Sequence, residues 1–354
     1  MDESMKTERA PDTGARSVGR TGPQNQTLKR DAGYDHIKAL LIYLMVLGHL
    51  LTRFGDGAAA DGLYLLIFSF HMPAFLFVSG YFARCGPKRA LSKLAPLYLV
   101  FQCVQFLTDA LSAALSGGDW LAALYAFQLF TPRWTLWYLL ALMAYHLLLP
   151  LLETDDRRKM ARNLLLAVLL GLAVGCNPDT DNLLALSRIC HFMPLFLLGY
   201  YEARCHLLGD LITRHRAACR AGTALLTAAL TALLLCSGWP AAWFYGTESY
   251  GTAGFWWYTR LLVWAVALAW IFVLLVWTPR RPLPLLEKVG RNTLPVYLLH
   301  TLVLTALTEA GAGQWFRGNL LVLAALAALI AWALSRDVFA RLLGRIRVPC
   351  GQET

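Results

Sequence analysis

Ten stretches of the chain are almost continuously apolar. They cover approximately residues 36–54, 62–83, 94–115, 134–152, 161–176, 187–203, 217–237, 255–277, 293–310 and 319–340. A bilayer core of about 30 Å asks for roughly 20 such residues as a helix. Most of the ten meet that length; the fifth and sixth are shorter. The pattern predicts an all-α, polytopic membrane protein with about ten transmembrane helices. Trp and Tyr fall near many of the ends, as at Trp134, Trp137, Trp239, Trp243, Trp256, Trp257 and Trp315. They suit an interfacial aromatic belt or ordinary helix packing.

Composition agrees. Of the 354 residues, 57% are hydrophobic and 15% charged, where soluble domains carry about 25% charged residues. A soluble domain with a mean hydropathy of +0.49 would lack the polar residues to cover its surface. A disordered chain needs the opposite balance. The formal charge of +10 then needs a location. Read against ten spans, 26 of the 32 Lys and Arg fall in the termini and even-numbered loops, and five on the other side. Lys38 stands apart inside the first span. That asymmetry predicts both termini to be cytoplasmic. The positive charge then records orientation, and no nucleic-acid partner is expected.

The expected organisation is a polar, disordered tail over 1–34, a transmembrane domain over 35–340 and a short basic tail over 341–354. The long charged N-terminal region, with no small-residue cleavage site after the apolar run, is unlike a secretory signal. The predicted location is the plasma membrane, multi-pass. Eight scattered cysteines form no Cys-x-x-Cys pair, so neither a metal site nor a disulfide framework is expected. No Gly-rich nucleotide loop occurs.

Ionisable residues at membrane depth are costly, so each is a candidate for function. Lys38 and His49 are eleven residues apart, which is about 20° past three helical turns and a rise of roughly 16 Å. Lys38, Ile42, Met45 and His49 therefore share one face, with Asp35 beside it. The alternatives are a snorkelling lysine and a histidine used in packing. Gly48 permits a close approach of a ligand or another backbone. In the second span His71 stands just before Pro73, which frees backbone carbonyls. Ser79-Gly80 reads as a small-residue packing surface. Further candidates are Trp137, Tyr138, His146, Arg188, His191, Arg260 and His300, each with a structural and a functional reading open.

Together these motifs resemble the integral-membrane acyltransferase type 3 family, and its fucose 4-O-acetylase-like branch in particular. The resemblance rests on Asp35 to Lys38, Gly48-His49, Phe70-His71-Met72-Pro73, Ser79-Gly80-Tyr81, Leu136-Trp137-Tyr138-Leu139, Phe192 to Tyr200, and Val296 to His300. It covers residues 30 to about 340. Three departures stand out. Lys38 replaces the commoner Arg, making a point charge of a bidentate clamp. The basic pair after the second span is out of register, with Arg89 and Lys93 as its nearest equivalents. The esterase-like domain fused to some members is not expected.

The resemblance implies transfer of an acyl group, usually acetyl, from cytoplasmic acyl-CoA to a hydroxyl of a glycan or glycolipid. His49 is then the base that takes the hydroxyl proton, or in a variant the nucleophile. Lys38, Arg89 and Lys93 would face the CoA phosphates. Asp35 would pair with Lys38. His71 would orient His49 or donate to the oxyanion. Trp137, Tyr138, Arg188, His191 and Arg260 are candidate acceptor contacts. The competing reading is a transporter of glycans or small anions, which buried His and Arg would serve equally well.

Overall fold

A computed structural model of the chain describes residues 32–346 except 85, 182–183 and 317. Residues 1–31 of the expected N-terminal tail, Arg317, and residues 347–354 of the basic tail lie outside the described residues. Within them every regular element is a helix; strand pairing is limited to one isolated bridge between Gly55 and Gly318.

The chain opens with α1 (Ala32–Phe54), α2 (Ala58–Phe68), α3 (His71–Phe82), α4 (Pro87–Leu115) and a short α5 (Trp120–Tyr125). A 3-10 turn at Trp134–Leu136 leads into α6 (Trp137–Leu152). Next come α7 (Arg157–Ala173), α8 (Leu186–Cys205), α9 (Leu207–Arg214) and α10 (Arg216–Ser237). The rest comprises α11 (Trp257–Trp277), α12 (Pro284–Arg291), α13 (Thr293–Glu309), α14 (Gly313–Phe316), α15 (Leu320–Leu334) and α16 (Asp337–Gly344).

Each of the ten apolar stretches coincides with helix. Length and composition alone single out seven membrane-crossing helices among the described residues, or eight if α15 and α16, bent by 55°, count as one. The two other stretches fall short for physical reasons. α8 has the length, at 20 residues, but carries Arg188, His191, Glu202 and Arg204. α13 is apolar but only 17 residues long.

α1 sits centrally, packed on α2, α3, α12, α13 and α15. The most extensive pairing is α3 with α8. There Gly80 and Gly199 bring the backbones together. A Cβ on Gly80 would lie 1.9 Å from the Phe196 carbonyl oxygen, and one on Gly199 1.9 Å from that of Phe77. Without a hydrophobic drive between helices in lipid, such close contact is what holds them. The outer helices turn apolar side chains outward, among them Leu165, Leu169, Leu225 and Leu235, as lipid requires. Trp256, Trp257 and Trp315 are also exposed, whereas Trp239 and Trp243 pack on each other.

Candidate active site

The site begins at a flaw in a helix. Ala58–Phe82 is one apolar stretch of 25 residues, yet it breaks at Ser69–Phe70 between α2 and α3. Pro73, third residue of α3, lacks the N–H that would continue the ladder to Ser69. His71 then donates its Nδ1 hydrogen to the carbonyl of Ile67 at 2.9 Å. A carbonyl only accepts, so in the neutral ring Nε2 is left as a lone pair.

His49, on α1, is half-buried in the space beside this break. Its ring stacks on His300 at 5.3 Å between centroids and meets the edges of Trp134 at 5.2 Å and Phe68 at 5.9 Å. Phe68 in turn touches the His71 ring at 4.7 Å. Gly48 is what lets Phe68 come so near, since a Cβ there would lie 2.8 Å from the ring. The His49 ring nitrogens make no hydrogen bond to the described residues. His300 is fully buried. Its Nδ1 donates to the carbonyls of Tyr297 (2.8 Å) and Val296 (3.1 Å), and its Nε2 has no hydrogen-bond partner among the described residues. One uncommitted imidazole is thus set among two whose tautomers the backbone fixes.

His49 and His71 open into a cavity of about 380 Å³, also lined by Tyr64, Trp134, Arg188 and Tyr297. Through Met45, Met72 and Tyr297 it adjoins a cavity of about 200 Å³ that reaches Lys93 and Tyr138. Past Arg53 and Trp134 it adjoins a third, of about 320 Å³, that reaches Asp109 and Arg133. Lys93 and Asp109 lie on the same helix, α4. Their sixteen-residue spacing is about 24 Å of rise. The three spaces form a row with His49 in the middle.

The expected site residues divide. Trp137 and Arg188 line the central cavity; Trp137 stacks on Phe192 at 5.4 Å, with the Arg188 guanidinium 5.5 Å from its centroid. Tyr138 and Lys93 line the smaller one, where the Tyr138 hydroxyl is 2.7 Å from Ser79 Oγ. Asp35 and Lys38 form an ion pair at 2.7 Å, and the Lys38 ammonium lies 5.3 Å from the Phe82 centroid. Ile42 and Met45 carry the predicted α1 face toward His49, but Lys38 lies beyond the three cavities. Arg89 is exposed.

His191 and Arg260 sit apart from the row. His191 is fully buried and stacked on Trp264 at 5.4 Å. Arg260 donates to the carbonyls of Gly171 and Glu248, each at 2.6 Å, beneath Tyr250 and Phe255. Burial pushes the Tyr250 phenol up, against the opposing pull of the Arg260 cation, so it stays a hydroxyl and donates to Leu172 O at 2.6 Å. Arg260 thus ties down the loop before α11, and the His191 ring packs against Gly246 of the same stretch. His146 donates to its own helix at Leu142 O, 2.8 Å.

Sequence reasoning missed five contributors, Trp134 against His49 among them. Arg53 follows His49 by one turn and lies over Trp134 at 5.2 Å. Thr135 has a buried hydroxyl with no hydrogen-bond partner among the described residues. Tyr64 and Tyr245 share a short hydrogen bond between their hydroxyls. The i,i+4 spacing from His49 was the available signal for Arg53; the others arise only from tertiary contact.

Residues 31–336 match the family model for an acyltransferase domain, the third acyltransferase type. The chain belongs to that family. Among curated relatives, nodulation protein NolL of Sinorhizobium fredii (strain NBRC 101917 / NGR234) is 31% identical over 194 residues, 49% of this chain and 49% of that protein. The chain thus spans about half the length of this relative. No solved structure is significantly similar to the chain.

Proposed function

We propose that the protein is an integral-membrane O-acyltransferase that moves an acetyl or other acyl group from acyl-CoA to a hydroxyl of a cell-surface or lipid-linked glycan. Family membership supports the acyl transfer. The observation that carries the mechanism is the uncommitted His49 ring at the middle of a row of cavities. With both termini cytoplasmic, the Lys93 end faces the cytoplasm and receives the donor, as a cation should for an anionic CoA. The Asp109 end faces the acceptor.

His49 takes the hydroxyl proton as the oxygen attacks the thioester carbonyl. The C–S bond then breaks, and the same proton goes to the departing CoA thiolate. Ester and free CoA result. Neutral His71 and His300 offer lone pairs, not protons, at Nε2, so neither donates to the oxyanion. The oxyanion draws instead on the unpartnered Thr135 hydroxyl and on the Tyr64–Tyr245 pair, whose two hydroxyl protons include one that their mutual bond does not use. Apolar walls exclude water and protect the thioester.

Replacing His49 by Ala abolishes O-acetylation of the cell-surface glycan, measured by mass spectrometry at matched expression. Wild-type acetylation in that variant overturns the proposal. The transport reading is separated by acetyl-CoA. An acyltransferase is stabilised against heat by the donor, by about 2.7 kcal/mol at a hundred times Kd, and a transporter of glycans is not.

A further inference from the structure

The third cavity lies on the far side of Trp134 from the donor end. It is bounded by α4, α13 and the segment entering α6. Its polar groups are unusually free. Asp109 Oδ2 takes both bonds from Arg133, from Nε and from the terminal nitrogen, each at 2.7 Å, which leaves Oδ1 open. Gln105 turns its Nε2 to Thr301 Oγ1 at 3.4 Å and has no described partner for Oε1. The Thr305 hydroxyl makes no hydrogen bond to the described residues, and Arg53 forms no ion pair with them. Three open acceptors and a guanidinium therefore face one space, with an indole as one wall.

These walls select a class of ligand. An acyl chain would strand Asp109 and Gln105 without partners in an apolar contact. A phosphate would meet the Asp109 carboxylate. A polyhydroxylated ring suits both demands, because each hydroxyl donates and accepts, while its C–H face can rest on an aromatic plane. The volume of about 320 Å³ is within the roughly 300–1,000 Å³ of small-molecule sites.

The geometry points to this cavity as the acceptor subsite, holding the sugar unit whose hydroxyl reaches His49 past the edge of Trp134. This rests on the acyltransferase reading of the central cavity. Trp134 has a φ of +44°, a left-handed backbone that bulky residues rarely adopt. That conformation holds the indole between the two spaces, against His49 on one side and Arg53 on the other.

The test uses the full-length protein in nanodiscs, acetyl-CoA, and a panel of methyl glycosides of hexoses and 6-deoxyhexoses, with acetylated products read by mass spectrometry. Transfer to endogenous membrane glycans is scored alongside. Asp109→Asn is isosteric and removes the charge, while Thr305→Trp fills the cavity without touching the Asp109–Arg133 pair. Both raise the acceptor KM by about tenfold or more, the usual weight of a hydrogen bond to a charged group, or change the order of preference in the panel. Both leave the acetyl-CoA KM and the donor's thermal stabilisation unchanged. Wild-type acceptor KM and preference in both variants overturns the assignment, as does an equal rise in the acetyl-CoA KM. A wild-type protein that acetylates no hydroxyl in either assay overturns the acyltransferase reading itself.

Discussion

His71 shows how one side chain serves fold and chemistry at once. Its Nδ1 hydrogen answers a carbonyl at the α2–α3 break, and Nε2 is turned over to the cavity. His71→Asn separates the two, because the Asn amide can replace Nδ1 but has nothing at Nε2. The variant should fold and bind acetyl-CoA as wild type, with kcat lowered by about tenfold, the scale of one lost polar contact. Lys38 is separable in a similar way. Lys38→Met leaves the buried Asp35 carboxylate short of its cation, and breaking a buried pair costs about 3–5 kcal/mol. The double variant D35N/K38M should recover much of that in thermal unfolding. If it also recovers turnover, Lys38 acts through Asp35 alone; a persistent rise in the acetyl-CoA KM identifies a contact with the donor.

At the same scale lies the reason the site was only partly legible. His49 and His71 stand out because each interrupts an apolar run, and the structure places both on one cavity. His191 and Arg260 interrupt apolar runs just as visibly, yet they sit against Trp264 and the loop before α11. Charge in a span shows that a partner is needed; it does not show whether that partner is a backbone carbonyl or a substrate. Thr135 and Trp134 were invisible as site residues, since their role comes from an irregular turn with a left-handed residue.

Among elements, the α3–α8 pair is the firmest joint. Ser79-Gly80 reads in sequence as a packing surface, and its partner proves to be Gly199, beyond the reach of any local pattern. Gly80→Ala forces the backbones apart and should destabilise by about 1–3 kcal/mol, seen as a lower unfolding midpoint in detergent. Activity per folded molecule should fall as well, because α3 carries His71. The long apolar helices were legible in sequence, though α4 starts at Pro87, well before the expected 94; the short α5, α9, α12 and α14, the bend between α15 and α16 and the break at Ser69–Phe70 were not. Pro73 announces an interruption, while its position three residues upstream depends on which carbonyls find other donors.

The whole molecule has a polarity that can be measured directly. Cys176 and Cys236 are exposed near the ends of α7 and α10 that lie away from the basic loops, and Cys219 is near the opposite end of α10. In single-cysteine variants, a membrane-impermeant maleimide should label Cys176 and Cys236 in intact cells. Cys219 should react only after permeabilisation. The reverse pattern would invert the expected orientation of the termini and exchange the proposed donor and acceptor ends of the row.

The Gly80–Gly199 contact also bears on how members of such a family diverge. It makes α3 and α8 a stiff beam along one wall of the central cavity, where small residues tolerate almost no exchange. The opposite wall is the turn at Trp134–Leu136, joined to α4 by bonds from Gln102 to the carbonyls of Gln128 and Thr131. Drift should therefore accumulate on that turn and leave the beam alone. New acceptors would be acquired by rewriting that turn together with the facing residues 105–109 and 301–305, and a chimaera exchanging these segments should carry its donor protein's acceptor preference into an otherwise unaltered catalyst.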